Sequence, residues 1–200
     1  AANRFLVDFA DDLQNDPADI PALVRRLDAV DGERISHVLV THTHTDHSPA
    51  CALLRQYSDA PTYAFGPHGS GNAEEGVRLE EDADRAFKPD HEVRHGEVIE
   101  GDGWSVECVY TPGHTSNHMC YALREERTLF TGDHVMAWST SVVSPPDGDM
   151  RAYMASLQKL YDRDDRTLYP AHGPAVTKPR QLVRGMLGHR RQREAQIVRL

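Results

Sequence analysis

The segment Thr41-His42-Thr43-His44-Thr45-Asp46-His47 packs three imidazoles and one carboxylate into six residues, His42 to His47. Imidazole and carboxylate together suit zinc, iron or manganese, so the segment reads as a metal-binding loop. Before it lies Ile35-Ser36-His37-Val38-Leu39-Val40, a short apolar, β-branched run with the character of a buried strand. The ligands therefore sit at a strand's C-terminal end, where loops carry function. In an extended loop His42 and His44 point the same way, because side chains alternate with period two. Asp46 and His47 follow where the chain turns, and can aim at a second point nearby. One loop could serve two metals.

Four ligands do not complete a two-metal site, and three later motifs supply more. Thr111-Pro112-Gly113-His114-Thr115 follows a strand-like run over residues 104–110. Thr131-Gly132-Asp133-His134 follows Thr128-Leu129-Phe130, and Pro170-Ala171-His172-Gly173-Pro174 follows Thr167-Leu168-Tyr169. Each repeats one grammar: a short strand, a tight turn with Gly or Pro, and a polar ligand at the turn. Glycine adopts backbone conformations that other residues resist, so it can swing a ligand inward. Four strand ends converging on one edge would make a single site.

Taken in order, His42-x-His44-x-Asp46-His47, His114, Asp133 and His172 resemble the metal-binding pattern of the metallo-β-lactamase superfamily. The resemblance implies that His42, His44 and His114 hold one metal and that Asp46, His47 and His172 hold a second. Asp133 would be the carboxylate shared by both, and Asp46 and Asp133 would take part in catalysis. Two Zn2+ are the expected cofactors; iron and manganese fit the same ligands. Two such ions roughly 3.5–4 Å apart can hold a hydroxide between them and lower the pKa of a water from 15.7 towards ~7. Of the chain's 12 histidines, His37, His68, His91, His95 and His118 read as ordinary surface or core residues, and His189 as a surface residue. His134 directly follows Asp133 and reads equally as an ordinary residue or as support for that carboxylate.

The elements that must position these groups alternate. Residues 5–9 read as a first strand. Asp16 and Pro17 then open a helix with Ile20, Leu23, Val24 and Leu27 on its apolar face. Ser48 is expected to cap a second helix through Leu53, Leu54 and Tyr57, followed by a strand over residues 61–66. Residues 67–89 read as a long surface excursion. Strands follow at 104–111, 118–123 and 128–131, the last two joined as a hairpin by residues 124–127. Met150, Tyr153, Met154, Leu157, Leu160 and Tyr161 recur at helical spacing, so a helix with a core-facing stripe is expected from Asp149 to about residue 161. Pro179 opens the final helix. Periodicity alone gives an α/β class; the resemblance implies a four-layer αββα sandwich. Relatives carry more strands before an Asp-Pro-Gly turn, whose place is taken here by Val7-Asp8-Phe9-Ala10. N-terminal strands are therefore expected to be lacking, which leaves either a missing N-terminal piece or a homodimer formed at the open sheet edge.

The 200 residues suggest a single catalytic domain spanning 1–200. No stretch approaches 18 apolar residues and no signal peptide is visible, so no membrane partner is expected. Three scattered cysteines, Cys51, Cys108 and Cys120, point to a cytoplasmic, reducing setting. The formal charge of −9 argues against a protein built chiefly to bind phosphate backbones. Against that stands a basic C-terminal run with Lys178, Arg180, Arg184, Arg190, Arg191, Arg193 and Arg199, which reads first as a solvated helix face.

Downstream motifs narrow the resemblance. Ser139-Thr140-Ser141-Val142-Val143 before Pro145-Pro146-Asp147-Gly148-Asp149-Met150, then Tyr169-Pro170-Ala171-His172-Gly173-Pro174 and Gly188-His189-Arg190-Arg191, are similar to the β-lactamase-like protein group, related to glyoxalase II. Many members of that group continue into a small winged-helix-like domain, which would begin about where this chain stops. The expected function is a dinuclear metal hydrolase acting on an ester, thioester or lactone of a small molecule. The alternative is a single-strand RNA endonuclease, as in the group's animal member, with RNA as the partner. β-Lactam hydrolysis and a non-catalytic binding module rank lower, the first for want of an export signal and the second because degenerate members lose ligands. Ser139, Thr140 and Ser141 follow Asp133 closely, and are weighed as site-facing residues against plain loop hydroxyls.

Overall fold

The computed structural model describes residues 3–8, 34–71 and 83–199. Two sheets carry the fold. The first is wholly parallel, with β1 (Asn3–Val7), β2 (Arg34–Leu39), β3 (Thr62–Ala64) and β4 (His91–Glu92) in that spatial order. The second orders β5 (Val98–Gly101), β6 (Trp104–Tyr110), β7 (Met119–Leu123), β8 (Thr128–Gly132) and β9 (Thr167–Pro170), antiparallel except for the β8–β9 pair. Three helices are described: α1 (Ala50–Leu54), α2 (Met150–Asp162) and α3 (Pro179–Val198).

Period-two alternation sorts the apolar side chains into three cores. From β2, Val38 faces outward with Val40, onto Cys51 and Leu54 of α1. Leu39 faces the opposite way and joins Val106, Cys108, Met119 and Tyr121 between the sheets. From β6 and β7, Val109, Cys120 and Ala122 face outward onto Tyr153, Leu157, Val183 and Met186 of α2 and α3. Helix, sheet, sheet and helix therefore stack as four layers, as the sequence resemblance implied. The sheets are also pinned by polar contacts. The Tyr121 hydroxyl donates to the carbonyls of Val40 and Tyr63, and the Met119 amide donates to the Thr41 carbonyl.

Several expectations need correction. Ser48 does not cap α1; its hydroxyl donates to Asp84 instead, and α1 begins after Pro49 without a side-chain cap. Tyr57 lies beyond that short helix and is exposed. Met150 is not part of the core stripe: it stands at the first turn of α2, 40 % exposed, while Tyr153 and Leu157 are fully buried. Strands β4 and β5 escaped the sequence reading because each is short and flanked by turns. The first strand ends at Val7, two residues earlier than expected. The expected helix over Ile20, Leu23, Val24 and Leu27 lies outside the described residues, as do residues 72–82 of the excursion. The helix expected from Asp149 to about residue 161 is present as α2, and Asp149 caps it, accepting from the Ala152 amide at 2.6 Å. Among the described residues β1 pairs only with β2, so it forms the edge of its sheet. No described helix is long and apolar enough to cross a membrane.

Leu157 is enclosed by both the sheet and α3. Leu157→Ala should cost about 2–5 kcal/mol, whereas Met150→Ala at the exposed end of the same helix should change stability by less than about 0.5 kcal/mol. Denaturant midpoints of the two variants check this, and equal effects would contradict the layered packing.

Candidate metal centre

The C-terminal ends of β1, β2, β6, β8 and β9 converge, and the seven residues picked out by sequence lie on the loops that leave the last four. Turn geometry places them. Gly113, at φ +140, lets the loop after β6 press on α2, where an added Cβ would lie 2.3 Å from the Tyr153 Cα. Gly132, at φ +47, turns the chain out of β8 beneath Thr41, and the His134 amide closes that turn on the Thr131 carbonyl.

The seven side chains form two groups. In the first, His44 Nδ1 lies 3.1 Å from both His42 Nε2 and His114 Nε2, so three ring nitrogens face one point. In the second, His172 Nε2 is 3.3 Å from both Asp46 Oδ2 and Asp133 Oδ1, and His47 Nε2 is 3.5 Å and 3.6 Å from the same two atoms. Asp133 stands between the groups, its other oxygen, Oδ2, 3.8 Å from His114 Nε2.

Behind them is a layer that orients the rings. The Val142 carbonyl accepts from His114 Nδ1 at 2.6 Å, leaving Nε2 as the lone-pair nitrogen. Asp8 accepts from the Thr41 amide, the Thr41 hydroxyl and His47 Nδ1 at once. With its proton given to Asp8, the Thr41 oxygen is the acceptor for His42 Nδ1, 3.0 Å away. One carboxylate thus fixes a ring in each group. Asp8 holds φ +35, a conformation that Asp tolerates better than most residues. Sequence reasoning placed Asp8 inside the first strand and gave it no role; the available signal was its position at the turn where relatives have an Asp.

Three histidines read as ordinary or ambiguous also belong to this region. His118 is fully buried, stacks on His42 at 5.1 Å and meets the Thr111 hydroxyl through Nδ1. His134 packs between His118 and Tyr153, so it supports the site by packing rather than by a bond to Asp133. His68 reaches the Thr43 hydroxyl beside His44. His37 and His91 sit away from the centre, against Tyr63. His95 meets the Tyr110 amide. His189 is exposed on α3. Ser141 is buried and donates to the His134 carbonyl, while Ser139 and Thr140 face an adjoining groove.

Electrostatics favour a cation here. Burial, reinforced by neighbouring imidazoles, holds His42 well below its ordinary value and takes His44 and His114 to about 4, so these rings are neutral and keep their lone pairs at pH 7. Burial also lowers His47, but Asp8, Asp133 and Asp46 outweigh it and raise the ring to about 9. Burial raises Asp133 against the pull of His47, His114 and His172. His47 Nε2 and Asp133 Oδ1 are buried with no hydrogen-bond partner among the described residues. Both are ligand atoms aimed at the second group. A divalent cation is the partner this donor set fits.

The family model described as the metallo-beta-lactamase superfamily matches residues 9–172. This chain belongs to the metallo-β-lactamase superfamily. Among superfamily relatives, an atrochrysone carboxyl ACP thioesterase of Claviceps purpurea is 34 % identical over 170 residues, covering 82 % of this chain and 46 % of the relative. The chain spans about half the length of the curated relatives it matches. Among solved structures, the metallo-β-lactamase family protein TTHA1429 of Thermus thermophilus superposes with a TM-score of 0.72 at 22 % identity, covering 94 % of this chain and 70 % of the other. TTHA1623, solved in a di-iron-bound form, gives 0.64 at 25 % identity over 88 % of this chain and 84 % of that one. The superfamily binds metal ions, and the two ligand groups are where this member would do so.

The pKa directions set the metal-free protein's response to pH. His44 and His114 bind protons more readily unfolded than folded, so stability falls as pH drops from about 6.5 towards 4. His47 acts oppositely: its contribution is complete below about 6.5 and is lost as pH rises through about 9. Thermal unfolding in chelator should show the acid-side loss clearly, and a flat profile from pH 7 to 4 would contradict it. Asp8→Ala should weaken divalent-metal binding by about 10–100-fold in a chelator competition, because rings of both groups lose their anchor.

Proposed function

We propose that this chain is the catalytic domain, residues 1–200, of a dinuclear metal hydrolase that cleaves the thioester of a small molecule. The observation that carries the reading is Asp133, whose two oxygens face the two ligand groups separately. His42, His44 and His114 would hold one ion, Asp46, His47 and His172 the other, with Asp133 shared. Zinc is the first candidate for both; TTHA1623, in its di-iron form, supports iron as the alternative. Bound there, the ions would polarise the acyl carbonyl and bring a water's pKa towards ~7.

The chain's own residues supply the rest. The Asp46 side chain is 37 % exposed, and is placed to accept a hydrogen bond from the attacking water and aim it at the carbonyl carbon. Asp133 is fixed between the groups and balances charge in a largely water-free setting. The buried imidazoles of His42, His44 and His114 stay neutral; Thr41 and Val142 hold His42 and His114 in one orientation, and Asp8 anchors His47. A thioester is favoured over other acyl compounds by the curated thioesterase relatives. The three cysteines are free, buried thiols, which supports a reducing, cytoplasmic setting.

Cleavage of single-stranded RNA by the same centre is the second reading, favoured by exposed Arg184, Arg191 and Arg199 on and just beyond α3. It is weakened because other members of that basic run serve the fold: Arg190 donates to the Ser141 carbonyl and Arg180 to the Arg163 carbonyl.

Asp133→Ala should lower thioester turnover by at least about 100-fold, since even changes behind a ligand cost 10–100-fold, and it should reduce bound metal. Turnover on a pantetheine thioester, with metal content measured on the same sample, checks this. Unchanged turnover in a metal-verified variant would sink the reading; RNA cleavage lost with Asp133 would replace it with the second.

A further inference from the structure

Beside the metal centre runs a concavity of about 720 Å³, between the loop that follows Asp133 and one face of α3. That volume lies within the range of small-molecule sites. Its walls are mainly apolar: Met136 and Trp138 on the loop, Val176 beyond β9, and Leu182, Gly185 and Met186 on the helix. Lys178 and His189 mark its two ends along the helix, and at 1.5 Å per residue they are about 16 Å apart.

The groove's loop wall adjoins the metal centre through backbone and packing contacts. Ala137 donates its amide to the carbonyl of His172. Gly173 lies so close that an added Cβ would stand 2.9 Å from Ala137 Cβ and 3.5 Å from the Trp138 ring. The same loop continues to Val142, whose carbonyl holds His114. A molecule reacting at the metal centre therefore has this trough as its immediate neighbour. Trp138 is 68 % exposed, an unusual cost for so large an apolar ring unless something covers it.

Resting on the thioesterase reading, we propose that this groove binds the acyl group of the substrate, and that the acyl group is large and apolar, an extended chain or a fused aromatic system. An acetyl-sized group would leave most of the trough wetted. Gly185 lines the floor without a side chain, and a Cβ there meets nothing within 4 Å, so a bulky side chain at this position would stand in the trough.

The test uses binding as well as turnover. The chain has two tryptophans, and Trp104 packs on Phe5 and His37, away from the groove, so Trp138 emission reports occupancy. S-dodecyl-N-acetylcysteamine, a thioether that cannot be hydrolysed, should change that emission saturably, and the S-ethyl analogue should not. Gly185→Phe should weaken dodecyl binding by about tenfold or more, a loss of 1.4 kcal/mol or more. It should also lower the ratio of turnover on dodecanoyl to acetyl thioester. Ser139→Phe, on the facing wall, is the second blocking variant should the helix substitution disturb folding. Dodecyl binding that is absent, or untouched by both variants, overturns the proposal. A dimer dissolved by Gly185→Phe, without ligand binding, would give the groove to a second copy of the chain instead. Blockable dodecyl binding with no hydrolysis of either thioester would leave the groove assignment standing and remove the thioesterase reading.

Discussion

The bond network of the Asp8 carboxylate is the constraint on which the centre depends. It collects a backbone amide and a hydroxyl from Thr41 and a ring N–H from His47, and through Thr41 it sets the tautomer of His42. A buried imidazole with a free choice of tautomer presents a lone pair or a proton with nearly equal ease. Anchoring the far nitrogen removes that choice. Because one anion does this for rings in both ligand groups, the two halves of the site are set by a single geometric element at the end of β1.

The layers around it exist to bring that element and four other strand ends together. A parallel sheet delivers β1 and β2 side by side with both C-terminal ends on one edge. The parallel β8–β9 pair does the same in the second sheet. Tyr121 bridges the two sheets by donating to carbonyls of β3 and of the residue after β2, so the loop that starts at Thr41 cannot shift without breaking buried hydrogen bonds. The site is rigid because its supports belong to the core rather than to the loops alone.

How much of this was legible in the sequence follows from distance along the chain. His42, His44, Asp46 and His47 announce themselves because their strand and loop are contiguous. His114, Asp133 and His172 are legible because each follows a short strand and a turn with Gly or Pro. The four layers came from the family resemblance, not from periodicity. Asp8 was not legible as a support, since its partners Thr41 and His47 lie 33 and 39 residues away. His118 was read too plainly and His134 was left open, because burial and ring stacking are set by tertiary packing. Ser48 looked like a cap, yet a carboxylate from a distant loop, Asp84, took its hydroxyl. Local pattern cannot rank a local partner against a distant one.

The loop after Asp133 has two neighbours, and that limits how the protein can change. One end shapes the groove through Met136 and Trp138, and the other supplies the carbonyl that steadies His114 and the backbone that Arg190 grips. A substitution on this wall alters what the groove accepts and disturbs a ring of the metal centre in the same stroke. The opposite wall, Leu182 and Gly185 on α3, supplies none of the seven, and Leu182 packs on the apolar core instead. Divergence in what the molecule accepts should therefore accumulate on the helix, while the loop drifts slowly: one wall is free to vary and the other is tethered to the chemistry.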